Sequence, residues 1–197
     1  MSPKKLLLPT LYLTGLTLLA VVPAFGGNCD ATAAGCTQTI TGTNGIDSLL
    51  GSTGNDCMYG LAGDDILDAV DGADALFGGD GADTLKGKLG NDCADGEAGI
   101  DTIKGNQGND LLFGSADGDL MDGGENADDI YGGTGADQLE GGPGGDDLFG
   151  EDDGDFLADC SGTSFDTGDG GTGTDTCQTS LETRTSCEFI FNSAPKC

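Results

Sequence analysis

Apolar side chains recur every nine residues along most of this chain, always two positions after an aspartate. From residue 42 to residue 158 thirteen units of the pattern Gly-x-x-Gly-x-Asp-x-apolar-x follow one another without insertion; position 1 departs from glycine once, at Ala69, and position 4 three times. So regular a period is typical of a repeat architecture. The aspartates at position 6 of the units are Asp47, Asp56, Asp65, Asp74, Asp83, Asp92, Asp101, Asp110, Asp119, Asp128, Asp137, Asp146 and Asp155.

The spacing within each unit predicts a turn followed by a short strand. Glycine at positions 1 and 4 suits the turn, and the replacements at position 4, Asp117, Asn126 and Asp153, are of the types that best tolerate a left-handed backbone. Positions 7 to 9 suit a strand whose position 8 faces inward. Because one unit cannot bury its apolar residue alone, we expect an all-β fold: a right-handed parallel β-roll of two parallel sheets, with two units, or 18 residues, per coil.

The residues outside the repeats predict a leader and two caps. Lys4 and Lys5 precede an apolar run, which is typical of a secretory signal peptide; an uncleaved membrane anchor is the alternative. After Ala158 the register slips by two residues, and Cys177 takes the buried position of a last unit. The predicted segments are a signal peptide over 1–26, an N-terminal cap over 27–41 with its strand in 36–41, the β-roll over 42–158, and degenerate repeats with a cysteine-containing C-terminal cap over 159–197.

Eight cysteines in a small exported chain predict disulfides. Cys29 with Cys36 and Cys177 with Cys187 are candidate local pairs, although eight cysteines allow 105 connectivities. Cys57 and Cys93 both occupy position 7, four units apart. Two rungs of the roll, roughly 9.6 Å, would separate them, which is beyond the limit of about 7 Å between bridged Cα atoms. We therefore predict that these two cysteines are not paired with each other.

The charge of the chain favours cations as partners. The 35 Asp and Glu against 7 Lys and Arg give a formal net charge of −28, which disfavours nucleic acid and anionic membranes. After removal of the leader we expect no membrane insertion. The absence of His excludes Ser-His-Asp and Cys-His catalysis and His-ligated zinc. Because the carboxylates are equivalent and evenly spaced, unlike the two differently tuned acids of a hydrolase, we predict no enzymatic activity.

Stacking of the units predicts the kind of cation. Aspartates two units apart would lie one rung apart on the same side, where they repel each other unless a cation sits between them. Carboxylates combined with the backbone carbonyls of glycine-rich turns make an oxygen site that suits Ca2+ better than Mg2+ or zinc. Thirteen units give 13 − 2 = 11 bridging positions, so we expect several Ca2+ ions, up to about 11.

Segments such as 78–85 and 132–139 resemble the GGxGxDxUx nonapeptide of the RTX, or hemolysin-type, calcium-binding repeats. The resemblance implies a parallel β-roll with Ca2+ between stacked turns, disordered when calcium is scarce and folded outside the cell. By position it implies side-chain ligands from the thirteen aspartates. It implies carbonyl ligands from turn glycines such as Gly51, Gly60, Gly78 and Gly87. The N-terminal leader and the eight cysteines depart from the family pattern and weaken any association with its toxins.

The sequence thus predicts a secreted, extracellular calcium-binding protein that folds on binding several Ca2+ and serves as a structural, adhesive or surface and matrix module. The alternatives are an acidic disordered extracellular spacer, a calcium buffer, or an accessory fragment of an RTX-type toxin or hydrolase.

Position 9 of alternate units predicts an aromatic strip on the outside of one sheet. The strip is a candidate surface for self-association or for binding another surface; alternatively, its rings only stiffen the sheet. The residues of this aromatic strip are Tyr59, Phe77, Phe113, Tyr131 and Phe149.

Overall fold

The computed structural model describes residues 29, 35–158, 167–178, 183–185, 187 and 189–191. The predicted signal peptide over 1–26 lies outside these residues. All the regular elements in the described ranges are strands, so they include no helix able to cross a membrane. The strands are β1 Gln38–Thr41, β2 Ser48–Leu50, β3 Asp56–Ala62, β4 Ile66–Asp71, β5 Ala75–Asp80, β6 Thr84–Leu89, β7 Cys93–Ala98, β8 Thr102–Gln107, β9 Leu111–Ala116, β10 Leu120–Glu125, β11 Asp129–Thr134, β12 Gln138–Glu140, β13 Asp147–Asp152, β14 Phe156–Ala158, β15 Thr167–Asp169, β16 Thr176–Gln178, β17 Thr183–Thr185 and β18 Phe189–Phe191.

The strands alternate between two parallel sheets of nine strands each. Sheet A contains the odd-numbered strands in chain order, and sheet B the even-numbered strands. Paired residues are 18 apart in sequence: Leu76 lies beside Met58 on one neighbouring strand and beside Ala94 on the other. This confirms the predicted all-β solenoid of two parallel sheets with 18 residues per coil.

The C-terminal end of the roll follows the predicted slip in register. Phe156 pairs with Thr176 and Asp147 with Thr167, a spacing of 20 residues instead of 18. Cys177 then takes the inward position and is fully buried. The sheets therefore continue past the regular repeats without losing their core.

The core is a single column of position-8 side chains between the two sheets. All of them except Leu49 are at least 99% buried, and Leu49 is packed against the column from its end. Burial of one large apolar side chain contributes about 1.5 to 3 kcal/mol. The buried column is Met58, Leu67, Leu76, Leu85, Ala94, Ile103, Leu112, Met121, Ile130, Leu139, Leu148 and Leu157, followed by Cys177.

Most strands are longer than the three residues predicted. A typical strand such as Ala75–Asp80 has six residues and runs from position 7 of one unit to position 3 of the next. The strand bends at position 2, where the backbone has a positive φ even when the residue is Leu61 (84°) or Val70 (91°). Pairing continues through this bend, since Leu61 still pairs with Gly79 of the next rung.

The prediction for position 4 is confirmed. Asp117, Asn126 and Asp153 have φ values of 73°, 84° and 82°, the left-handed conformation that the glycines at this position adopt in most other units. The three substitutions therefore preserve the path of the turn.

The disulfides confirm two of the cysteine predictions and overturn one. Cys177 is bonded to Cys187, and Cys57 and Cys93 are not bonded to each other. The predicted pair of Cys29 with Cys36 is wrong. Because β1 lies beside β3, Cys36 is one rung from Cys57 and bonds to it, with a Cα–Cα distance of 5.6 Å. Cys29 bonds to Cys93 on β7, with a Cα–Cα distance of 5.7 Å.

Candidate metal centre

The repeat aspartates form two rows, one along each edge of the roll where the chain passes between the sheets. We call them the Asp65 edge, where turns lead from sheet A to sheet B, and the Asp56 edge, where turns lead from sheet B to sheet A. The Asp65 edge contains Asp47, Asp65, Asp83, Asp101, Asp119, Asp137, Asp155 and the late aspartate Asp175, and the Asp56 edge contains Asp56, Asp74, Asp92, Asp110, Asp128 and Asp146.

After the first aspartate of each edge, one oxygen of each carboxylate is held by the rung before it. The backbone N–H of Asp65 donates to Oδ1 of Asp83 over 2.7 Å, and the N–H of Asp74 donates to Oδ1 of Asp92 over 2.8 Å. The same bond recurs along both edges and points every carboxylate the same way. Aspartates 18 residues apart therefore lie one rung apart on the same edge, as predicted, and a hydrogen bond joins each to the next.

The other carboxylate oxygen is buried without a hydrogen-bond partner among the described residues along most of both edges. A buried polar atom without a partner is costly, and a buried charge is far more so. These orphan oxygens therefore call for a cation. They are the Oδ2 atoms of Asp65, Asp74, Asp83, Asp92, Asp101, Asp110, Asp119, Asp128, Asp137 and Asp155, whose side chains are all at least 97% buried.

The glycine at position 1 leaves room beside the orphan oxygen in all of these units except that of Asp74, where position 1 is Ala69. A methyl group added at Gly78 would lie 2.5 Å from Oδ2 of Asp83 and 2.7 Å from the carbonyl oxygen of Gly96 on the next rung. Glycines 114, 123 and 132 have the equivalent two neighbours: Oδ2 of the aspartate in their own unit and the carbonyl oxygen of the position-1 glycine two units further on. Carboxylate and carbonyl oxygens, the ligand types that Ca2+ takes, thus face one small region beside each of these glycines, which we call the cation space.

The first aspartate of each edge differs from the rest. Oδ2 of Asp47 accepts hydrogen bonds from the N–H of Thr43 (2.6 Å) and from its hydroxyl (2.8 Å). Oδ2 of Asp56 accepts the N–H of Ser52 at 2.6 Å and its hydroxyl at 3.0 Å. Thr43 and Ser52 occupy position 2 without the positive φ found there in later units. These two carboxylates cap their own turns.

Burial changes the acidity of the rows. Burial raises the pKa of Asp101 to about 8, chiefly by desolvation. The hydrogen bond from the Asp83 N–H lowers this pKa, and the charges of Asp119 and Asp83 raise it. Burial likewise raises the pKa of Asp128 to about 8 and that of Asp92 to about 7. Metal-free, these carboxyl groups therefore bind protons more readily than an exposed aspartate does, whereas a bound cation favours the ionised form.

The donor set fits Ca2+. Carboxylate oxygens with backbone carbonyls are hard ligands on a flexible frame, which Ca2+ accepts more readily than Mg2+ and which zinc does not favour. Within the described ranges no three acidic, cysteine or histidine side chains cluster as a metal site. Backbone carbonyls such as that of Gly96 are available to add to the carboxylate ligands.

A parallel β-solenoid with buried carboxylate rows and glycine-lined spaces defines a β-roll of the calcium-binding type. The chain belongs to the RTX calcium-binding nonapeptide repeat family, whose four-copy model matches residues 41–76, 59–93, 68–103, 95–129 and 122–157. Together these matches span residues 41–157. A search of curated proteins finds no match to this sequence.

The glycines predicted as carbonyl donors lie along both edges. The carbonyl oxygens of Gly60 and Gly78 face the position-1 glycine of the preceding rung, beside the carboxylate of that rung. Gly51 and Gly87 lie on the Asp56 edge, each with its Cα against the carboxylate of its own unit. Their role as ligands stays a prediction.

A further polar ladder was missed by the sequence analysis. At position 5, Oδ1 of Asn55 accepts the N–H of Ala73, and Oδ1 of Asn91 accepts the N–H of Asn109, both over 3.0 Å. The signal was present in the sequence, since Asn or Asp recurs at position 5 in several units. This ladder ties neighbouring turns together without occupying the cation space.

The aromatic strip lies on sheet A as predicted but is largely covered. The rings of Phe113, Tyr131 and Phe149 stack in line, with centroids 5.1 and 4.7 Å apart, and Tyr59 stacks on Phe77 at 4.9 Å. Tyr59, Phe77 and Phe113 are each at least 92% buried. The rings therefore present their faces mainly to one another.

Proposed function

We propose that this protein is secreted, that it binds about ten Ca2+ ions between its stacked turns, and that it folds as they bind. In this proposal it acts outside the cell as a structural or adhesive module of a surface or matrix. A rod that becomes ordered only where calcium is abundant is suited to such a role, and no catalytic step is part of it.

The orphan Oδ2 oxygens carry the proposal. Along each edge they repeat one rung apart and are buried, and all of them except that of Asp74 lie beside a space that only glycine leaves open. A row of buried negative charges at this spacing is unstable by itself, because like charges repel and their desolvation is uncompensated. Calcium ions in the glycine-lined spaces would remove both costs.

The disulfides support the extracellular part of the proposal. Three bonds join the six described cysteines, and none of these cysteines is free. Such bonds persist in oxidising compartments and are rare in the cytosol. They agree with the leader predicted over residues 1–26.

For the aromatic strip we infer an internal role. The near-complete burial of Tyr59, Phe77 and Phe113, and the parallel stacking of the rings, support a function in stiffening sheet A. Self-association or surface binding would depend on the two half-buried rings, Tyr131 and Phe149.

A calcium titration tests the proposal. Metal-free mature protein is titrated with CaCl2 while far-ultraviolet circular dichroism follows strand content and native mass spectrometry counts bound ions. We expect a cooperative gain of strand signal and uptake of about ten ions. MgCl2 at the same ionic strength is the control and should produce much less strand, because Mg2+ retains its water and demands a stricter octahedron.

Two results would overturn the proposal. Calcium binding without a gain in strand signal would favour a disordered spacer or a calcium buffer. Uptake of only one or two ions would show that the stacked turns are not the sites.

A further inference from the structure

Position 1 of the repeat is glycine in every unit except one, where it is Ala69. At the other units a side chain would enter the cation space: a methyl group at Gly78 would contact both Oδ2 of Asp83 and the carbonyl oxygen of Gly96. Glycines 96, 105, 114, 123, 132 and 150 show the same pair of neighbours. Position 1 therefore decides whether the space beside its aspartate is open.

Ala69 follows the same backbone path as the glycines. Its neighbours Asp68 and Val70 pair with Lys86 and Lys88 in the regular register. Its carbonyl oxygen faces Gly51, just as the carbonyl oxygens of the position-1 glycines face the glycine one rung before them. The residue is completely buried and belongs to the core cluster. By its position in the repeat, its methyl group would lie beside the carboxylate of Asp74, where the other units carry no side-chain atom.

Asp74 itself has the features of a ligand. Its Oδ1 accepts the N–H of Asp56 over 2.6 Å, and its Oδ2 is buried with no hydrogen-bond partner in the described part of the chain. Its side chain is 99% buried. The carboxylate therefore leaves one oxygen available for a ligand, in the one unit whose position 1 is not glycine.

The rung before Ala69 on the same edge is also closed. Oδ2 of Asp56 is bonded by the N–H and hydroxyl of Ser52. Two disulfides attach to sheet A over this stretch, at Cys57 directly after Asp56 and at Cys93 directly after Asp92. Covalent bonds thus clamp the part of this edge where the spaces for cations are closed.

We propose that calcium binding on the Asp56 edge begins only at Asp92, because Ala69 excludes the ion beside Asp74. The N-terminal rungs of this edge are held by the Cys36–Cys57 and Cys29–Cys93 disulfides in place of ions. The Asp65 edge has no such interruption after Asp47, so the two edges take up different numbers of ions. This inference rests on the proposed calcium function.

Two reciprocal variants test the inference. Ala69→Gly opens the space beside Asp74, and Gly78→Ala closes the equivalent space beside Asp83. The number of ions bound by each mature protein in saturating CaCl2 is measured by native mass spectrometry against the wild type. We expect Ala69→Gly to bind one more ion than the wild type and Gly78→Ala to bind at least one fewer.

The Ala69→Gly variant is the decisive test, because a protein that has lost one methyl group should still fold. Circular dichroism in calcium verifies that it does. An unchanged ion count for this variant overturns the inference, while a wild-type protein that still binds about ten ions keeps the proposed function intact. An unchanged count for Gly78→Ala also overturns it, because a methyl group at position 1 would then not exclude calcium. A wild-type protein that binds no calcium refutes the proposed function itself, and this inference with it.

Discussion

The backbone N–H of Asp65 donates a hydrogen bond of 2.7 Å to Oδ1 of Asp83, while Oδ2 of the same carboxylate is buried without a hydrogen-bond partner among the described residues. One oxygen of Asp83 is thus engaged in the fold of the chain itself. The other is left for a ligand. The roles of the two oxygens can be tested separately by a substitution that keeps an acceptor for the N–H of Asp65 and replaces Oδ2.

Asp83→Asn should impair calcium binding more than it impairs the metal-free fold. The amide oxygen can still accept the N–H of Asp65, but an NH2 group replaces the charged oxygen that faces the cation space. We expect at least one ion to be lost and the calcium midpoint for folding to rise by about threefold or more. Ion counting by native mass spectrometry and a calcium titration by circular dichroism measure both effects.

Asp80→Asn is the matched control, because it removes the same charge from the exposed position 3 of the same unit. It should leave the ion count unchanged and shift the midpoint only slightly. Equal effects of the two substitutions would mean that Asp83 acts through net charge and not as a ligand.

The period of the sequence was sufficient to predict the sheets, their register and the core. Each of these depends on residues that recur at one spacing, so the buried position of Leu76 and the pairing of its strand follow from the repeat itself. The slip in register before Cys177 was predicted for the same reason. The rows of carboxylates followed directly, since stacking repeats their positions.

What could not be predicted depends on contacts between distant parts of the chain. Leu61 adopts a positive φ because the strand must bend while remaining paired to Gly79, which its own side chain does not indicate. Ser52 occupies the same position without that φ, and its N–H and hydroxyl both bond the carboxylate of Asp56. The partner of Cys29 depends on which rung the segment around Cys29 lies beside, and the distance along the sequence from Cys29 to another cysteine does not indicate that rung.

The metal-free roll should be most stable in acid. Burial raises the pKa of Asp92 and Asp119 to about 7 and that of Asp101 and Asp128 to about 8, from 3.8. A carboxyl group with a raised pKa in the folded state contributes stability that is fully present below the unfolded pKa and is lost as pH rises through the folded pKa. Circular dichroism of calcium-free protein should therefore show strand content falling between about pH 4 and pH 8.

Calcium should reverse this dependence. Because each ion displaces protons from the carboxylates that bind it, the apparent calcium affinity should increase from pH 6 to pH 8. Titrations with CaCl2 at three pH values measure it. A calcium midpoint that does not move with pH would show that the buried aspartates are not the groups that bind the ion.

The long disulfide should lower the calcium concentration needed for folding. Cys29 and Cys93 are 64 residues apart, so their bond restricts the unfolded chain by about 4 kcal/mol in the loop-entropy model, against about 3 kcal/mol for Cys177 and Cys187, which are 10 residues apart. Replacing both cysteines of the long bridge with Ser should raise the calcium midpoint more than the same replacement at the short bridge. Equal shifts for the two double variants would contradict a specific role of the Cys29–Cys93 disulfide.

Tyr131 should stabilise the roll without taking part in calcium binding or association. Its ring lies between those of Phe113 and Phe149, and Tyr131→Thr removes both stacking contacts while keeping strand propensity. We expect a loss of about 1 to 3 kcal/mol in the free energy of unfolding with calcium bound, an unchanged ion count and unchanged sedimentation. Lys86→Thr, at position 9 of the opposite sheet, is the control and should cost less than about 1 kcal/mol. If the wild-type protein self-associates in calcium and Tyr131→Thr abolishes that association at little cost in stability, the strip is a contact surface and the internal role inferred for it is wrong.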